Sequence, residues 1–171
     1  MNREIKFKKL RIYLGILFFC LMFCISISFL LNPKIFIRNV FMKEEHILII
    51  GTIGFVYFPL LIFSFLKIIK RKYAILITDE FLIDNSKFES IGSIEWKSIS
   101  NIKRLKKKSI ELDIIKSVLQ KRKMNLLEKF FAFMHNWNYK ESIIISSALI
   151  DCSIEELYET ISETWENNKL N

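Results

Sequence analysis

Histidine is nearly absent from this chain, glycine is scarce and cysteine is sparse: 2, 4 and 3 residues respectively in 171. Each shortage removes a class of chemistry. His46 and His135 lie on different sides of the membrane in the topology that the charge distribution predicts, so they cannot make a joint metal site. Four glycines contain no phosphate-cradling loop, and no Ser/His/Asp or Cys/His arrangement stands out for nucleophilic catalysis. Cys20 and Cys24 sit inside an apolar run and read as buried packing, and Cys152 stands alone, so the three do not read as a disulfide framework. The sequence therefore predicts no catalytic residue, no cofactor and no metal. Charge is also missing from two long stretches, and that absence is the most informative.

Those stretches are RIYLGILFFCLMFCISISFLL, 11–31, and ILIIGTIGFVYFPLLIFSFL, 47–66. The first has no formally charged side chain after Arg11 and the second has none at all. A helix of about 20 residues spans about 30 Å, the hydrocarbon thickness of a bilayer, while satisfying its own backbone hydrogen bonds. The composition agrees, with 51% hydrophobic residues and 16 Phe. The first run is too long for a cleaved signal peptide and ends in no small-x-small site. A lipoprotein signal fails too, because bulky Phe and Met precede both cysteines. Neither span holds a buried acid, base or His, so this hairpin has no proton relay or ion path of its own. Gly51 and Gly54 are positions of close helix approach, and Pro59 is a candidate bend.

The net charge of +8, from 26 basic and 18 acidic residues, matters through its distribution. Arg3, Lys6, Lys8, Lys9 and Arg11 precede the first span, and Lys67, Lys70, Arg71 and Lys72 close the second. The connecting loop holds only Lys34, Arg38 and Lys43, beside Glu44 and Glu45. This bias predicts a multi-pass protein of the plasma (inner) membrane with both termini cytoplasmic.

After Tyr73 the period changes. YAILIT and EFLIDN read as two strands around a turn carrying Asp79 and Glu80. Ile94 and Trp96 share a face in SIGSIEWKSI, and WKSI reads as a strand end entering a turn. SNIKRL and SIELDII alternate apolar and polar residues on either side of a Lys106–Lys108 turn, and SIIISS is a further strand. Asp79, Glu80 and Asp84 read as acids that solvate and cap a turn rather than as paired catalytic carboxylates. Ser153 with Glu156 makes a capping box for a final helix, whose Ile154, Leu157, Tyr158, Ile161 and Trp165 form one apolar face. The stretch 117–140 reads as an inserted amphipathic helix. Leu119, Leu126, Leu127, Phe130, Phe131 and Met134 fall near one side, with basic residues around them and Trp137 and Tyr139 beyond. Its apolar side suits either the membrane surface or internal packing.

The stretch Y-x-x-x-x-T-D-E-x-L-I beginning at Tyr73, the later I-x-W-x-x-I from Ile94 to Ile99, and IISSALIDCSIEELYETI together resemble a family of small bacterial membrane proteins. That family has two transmembrane helices and a C-terminal PH-like (pleckstrin-homology-like) domain. The resemblance covers essentially the whole chain and rests on structural rather than catalytic motifs. It implies a membrane hairpin followed by a PH-like antiparallel β-barrel or roll with a C-terminal amphipathic helix: 1–72 as basic segment and hairpin, 73–171 as cytoplasmic domain. Many eukaryotic PH domains hold phosphoinositides with basic residues around the first hairpin, where this chain has Asp79 and Glu80, which speaks against that ligand.

The function expected is non-catalytic: a membrane protein presenting a cytoplasmic binding module to a protein partner or to anionic lipid head groups. Lys106, Lys107, Lys108, Lys121, Arg122, Lys123, Phe130, Phe131 and Trp137 are the candidate contacts. Nucleic acid is not expected, because the rings cluster on an apolar face instead of interleaving with the charges. Bacteriocin immunity, membrane-stress protection and an accessory role in a transporter are alternatives the sequence does not separate.

Overall fold

A computed structural model of the chain describes residues 2–37, 43–105, 109–115, 124–135 and 142–169. It divides into two compact units, one of Lys9–Ile69 and one combining Met1–Lys8 with Lys70–Asn171.

The first unit is a helical hairpin. Helix α1 covers Lys9–Leu31 and α2 covers Glu44–Ile69, running through Pro59. Both are long and apolar enough to cross a membrane. They pack antiparallel, with Phe19 against Phe58 and Phe65, Phe23 against Phe55, and Ser26 opposite Gly54. Gly54 is required by that last contact, since a Cβ there would collide with Ser26 Oγ. The Ser26 hydroxyl donates to the Met22 carbonyl at 2.9 Å, the usual way a helix satisfies a serine in apolar surroundings.

The second unit holds two antiparallel sheets, neither closed on itself. In the first, β1 (Arg3–Ile5), β2 (Ile75–Ile77), β3 (Phe81–Asp84) and β4 (Gly92–Glu95) lie in that order. In the second, β5 (Ile99–Leu105), β6 (Ser109–Ile114) and β7 (Ser142–Ser146) do the same. The expected strands are present after Tyr73. The N-terminal segment differs from its reading as a basic lead-in to the first span. It is an edge strand, with Arg3 opposite Ile77 and Ile5 opposite Ile75. Phe7 then bridges to Ile150, flanked by hydrogen bonds from Lys8 N–H to the Leu149 carbonyl and from Asp151 N–H to the Lys6 carbonyl, both 2.8 Å. One short segment thus contacts β2 on one side and the chain after β7 on the other.

Alternation explains the core. Along β6, Ile110, Leu112 and Ile114 are buried while Ser109, Glu111 and Asp113 are only half-buried. Ile5, Ile75, Ile77, Leu82, Ile94 and Ile145 join them from the other strands. Trp96 lies in a 3-10 turn, Trp96–Ser98, and buries its ring while its indole N–H donates to the Thr78 carbonyl at 2.9 Å. Helix α3 covers Leu126–His135 and α4 covers Ile154–Lys169. The Glu156 N–H donates to Ser153 Oγ at 3.1 Å, forming the expected cap, and Ile154, Leu157 and Ile161 are buried. Trp165 donates from its indole to the Ile99 carbonyl at 3.0 Å, fixing the far end of α4 to β5.

Candidate binding surface

Of the nine contact residues read from the sequence, Phe130 and Phe131 fall within the described residues. Lys106, Lys107, Lys108, Lys121, Arg122, Lys123 and Trp137 lie outside them. The helix that carries the two phenylalanines is Leu126–His135, a shorter element within the stretch 117–140. It starts at Asn125, whose Oδ1 accepts from the Glu128 N–H at 2.7 Å while Glu128 Oε2 accepts from the Asn125 N–H at 3.0 Å. This reciprocal cap satisfies two backbone donors otherwise left open at a helix start.

The two rings take different roles. Phe131 is buried, 2% exposed, and meets the ring of Phe88 edge-on at 5.6 Å. Phe130 is 40% exposed. Leu126, Phe133 and Met134 are exposed with it, and so is Lys129. At about 100° per residue, Phe133, Leu126, Phe130 and Met134 fill one continuous arc of about 100°, beside the arc that carries Phe131. Lys129 sits about 40° past Phe133, on the polar flank. Phe131 on α3 is therefore packed, and the adjacent arc is apolar and exposed to solvent.

Phe88 is held from another direction. The Arg71 guanidinium donates to the carbonyls of Asn85, at 2.7 Å, of Lys87, and of Phe88, at 3.1 Å. Burial lowers the Arg71 pKa, opposed by the nearby charges of Asp84, Glu128 and Glu89. Arg71 comes two residues after Ile69, the last residue of α2, so the first turn of chain beyond that helix grips the loop on which α3 rests. Asp84, grouped with solvated turn acids in the sequence reading, is instead buried on β3 at 1% exposure. Its Oδ1 accepts from the Ser86 N–H at 2.8 Å. Burial pushes its carboxyl up from the ordinary value, while hydrogen bonding at Ser86 and the charge of Lys87 pull it down.

The first hairpin turn is acidic, as its sequence says. Thr78 and Phe81 close it by backbone and side-chain hydrogen bonds at 2.9 Å, leaving Asp79 and Glu80 at the tip. A shallow hollow of about 350 Å³ lies beside it, lined by Asp79, Glu80, Phe81, Glu95, Trp96, Lys97 and Asn168. Three carboxylates against one ammonium repel phosphate there. Elsewhere the basic strand β5 is answered internally: Lys103 pairs with Asp113 at 2.8 Å and Arg104 pairs with Glu155. Burial pushes the Cys152 thiol up to about 11, assisted by Glu156, which disfavours the reactive thiolate. Among the described residues, no three His, Cys, Asp or Glu converge as metal ligands.

Arg71 and Asp84 were the residues the sequence hid. Arg71 sits within a run of basic residues that carries a complete explanation as a topology signal, and Asp84 reads like its acidic neighbours. No family model, curated protein or solved structure matches the chain.

Proposed function

We propose that this chain is a non-catalytic, membrane-anchored binding protein whose extramembrane unit is a PH-like domain on the cytoplasmic face of the plasma membrane. The observation that carries the reading is the pairing of β1 with β2 across the whole apolar hairpin. Paired strands lie about 5 Å apart, so residues 3–5 and 75–77 must be on one side of any bilayer. Two crossings return the chain to the side from which it started, and α1 and α2 supply two. The basic residues at both ends of the hairpin favour the cytoplasmic side.

The PH-like assignment is supported by two antiparallel sheets of short strands followed by an amphipathic C-terminal helix. The binding role is supported by the exposure of Leu126, Phe130 and Met134 on one side of α3, apolar surface that a domain with no other task would have reason to cover. The anionic membrane surface is the nearer ligand and a protein partner the other.

Alkaline washing of membranes followed by protease treatment tests this. The chain is expected to stay in the pellet, with residues beyond 72 cut only when the cytoplasmic face is opened. Release into the wash, or cleavage of that part from outside intact cells, would contradict it.

A further inference from the structure

We infer that residues 3–8 are a strap that comes away from the extramembrane unit as one piece while both sheets and α4 stay folded. This goes beyond the binding role proposed above and shares with it only the β1–β2 pairing.

Three segments, all distant in sequence, grip the strap. β1 pairs with β2, and the Ala74 N–H donates to the Ile5 carbonyl at 2.8 Å. Phe7 bridges to Ile150, while the Lys8 N–H donates to the Leu149 carbonyl and the Asp151 N–H to the Lys6 carbonyl. Arg3 reaches Glu156 and Thr160 on α4. Each of these segments has a second hold that does not involve the strap. β2 pairs along its other edge with β3, from Ile75 opposite Asp84 to Ile77 opposite Leu82. The 149–151 stretch continues from β7, which pairs with β6 along its length. Helix α4 is anchored by buried Ile154, Leu157 and Ile161 and by the bond from the Trp165 indole to Ile99. Lifting the strap therefore leaves its partners fixed in place.

The strap's own hold is modest beside theirs. Ile5 and Phe7 are its buried side chains, whereas Ile75, Ile77, Leu82 and Ile94 are buried from the rest of the first sheet. Its charged anchors, Arg3 with Glu156 and Glu4 with Lys72, are partly exposed, where ion pairs contribute little. An element with few buried side chains and exposed polar bonds opens at a lower free energy than the core around it. Opening bares the outer edge of β2 and the apolar floor beneath Ile5 and Phe7.

Hydrogen exchange resolved to single amides, on the full chain in detergent micelles, tests this. The amides of Lys8, Ala74 and Asp151 lie in three separate parts of the chain, yet all three are protected by bonds that the strap makes. They are expected to share one protection factor, below that of the β6 amides. Ile5→Val should speed all three by the same factor, roughly two- to ten-fold. Ile110→Val, at a fully buried position on β6, should speed the β6 amides by a similar factor and leave those three unchanged, because Ile110 stays packed when the strap lifts. Each substitution removes a single methylene, so both variants are expected to fold. Three amides that respond separately to Ile5→Val would show piecemeal fraying and overturn the single strap. Equal acceleration of the three and of the β6 amides by Ile110→Val would show that the strap leaves only with the whole fold, and overturns it too. An Ala74 amide without protection overturns the strap and the β1–β2 pairing together.

Discussion

Arg3 and Glu156, 153 positions apart, form an ion pair between the strand that precedes the first apolar helix and the helix that ends the domain. Arg3 also donates to Thr160 Oγ1 at 2.6 Å, one turn further along α4. The pair is partly exposed and contributes little by itself, but it joins segments that the chain keeps as far apart as it can. Replacing Arg3 by Ala should lower the melting temperature more than replacing Glu156, because Arg3 loses the ion pair and the charge-assisted Thr160 bond, whereas Glu156 loses the ion pair and only a weak bond from the Cys152 thiol. A thermal melt of each variant, in detergent and at two salt concentrations, checks this. Equal losses would mean that the Thr160 bond adds nothing.

Arg71 offers a larger effect. Its guanidinium serves three carbonyls at once, a geometry that a lysine ammonium on a flexible stem does not reproduce. Arg71→Ala should cost about 2 kcal/mol, and Arg71→Lys should recover less than half of it. Hydrogen exchange should rise first in the 85–90 loop and in α3. Full rescue by lysine would mean that only charge matters there.

The buried Asp84 predicts a pH dependence with a definite sign. Its carboxyl titrates higher in the fold than in the unfolded chain, so the fold holds that proton more tightly. Its contribution is therefore most favourable below the ordinary carboxylate value, and it declines as pH rises through the raised folded one. Asp84→Asn keeps an oxygen for the Ser86 N–H and removes the charge. The variant should be more stable than the parent at pH 7, by a margin that shrinks as pH falls toward 4. A variant less stable at pH 7 would mean that the charges of Arg71 and Lys87 hold Asp84 ionised.

Much of this architecture is legible locally. The two spans need only length and an absence of charge. The β6 alternation and the Ser153 cap of α4 are carried by residues a few positions apart. β1 is different: Glu4-Ile5-Lys6-Phe7 alternates with period two, but its partner Ile75–Ile77 follows 70 residues later, and its charges already have an explanation in the positive-inside bias. Phe130 and Phe131 show the same limit at the binding surface. Adjacent and chemically identical, they are separated in role by Phe88, a contact that no local pattern encodes. The Asn125 and Glu128 spacing, by contrast, was available as a signal for where α3 begins.

Within the hairpin, Gly54→Ala should force α1 and α2 apart at Ser26, costing about 1–3 kcal/mol as overpacking does. Ser26→Gly in the same chain should restore much of the loss by making room for the methyl group. Reversible unfolding in mixed micelles measures both. A Gly54→Ala variant as stable as the parent would mean that the helices adjust freely at that crossing.

The most direct test of the account is whether the two flanks of the hairpin meet in one sheet in living cells. Glu4 lies opposite Leu76 in the β1–β2 pair, and paired strands bring such positions within disulfide range. A chain carrying Glu4→Cys and Leu76→Cys, with Cys20, Cys24 and Cys152 replaced by Ser, would be oxidised in isolated membranes, digested and mapped. A disulfide joining the peptide that contains residue 4 to the peptide that contains residue 76, within one chain, is the expected result. Two thiols that stay unlinked, each labelled from a different side of the membrane, would contradict it.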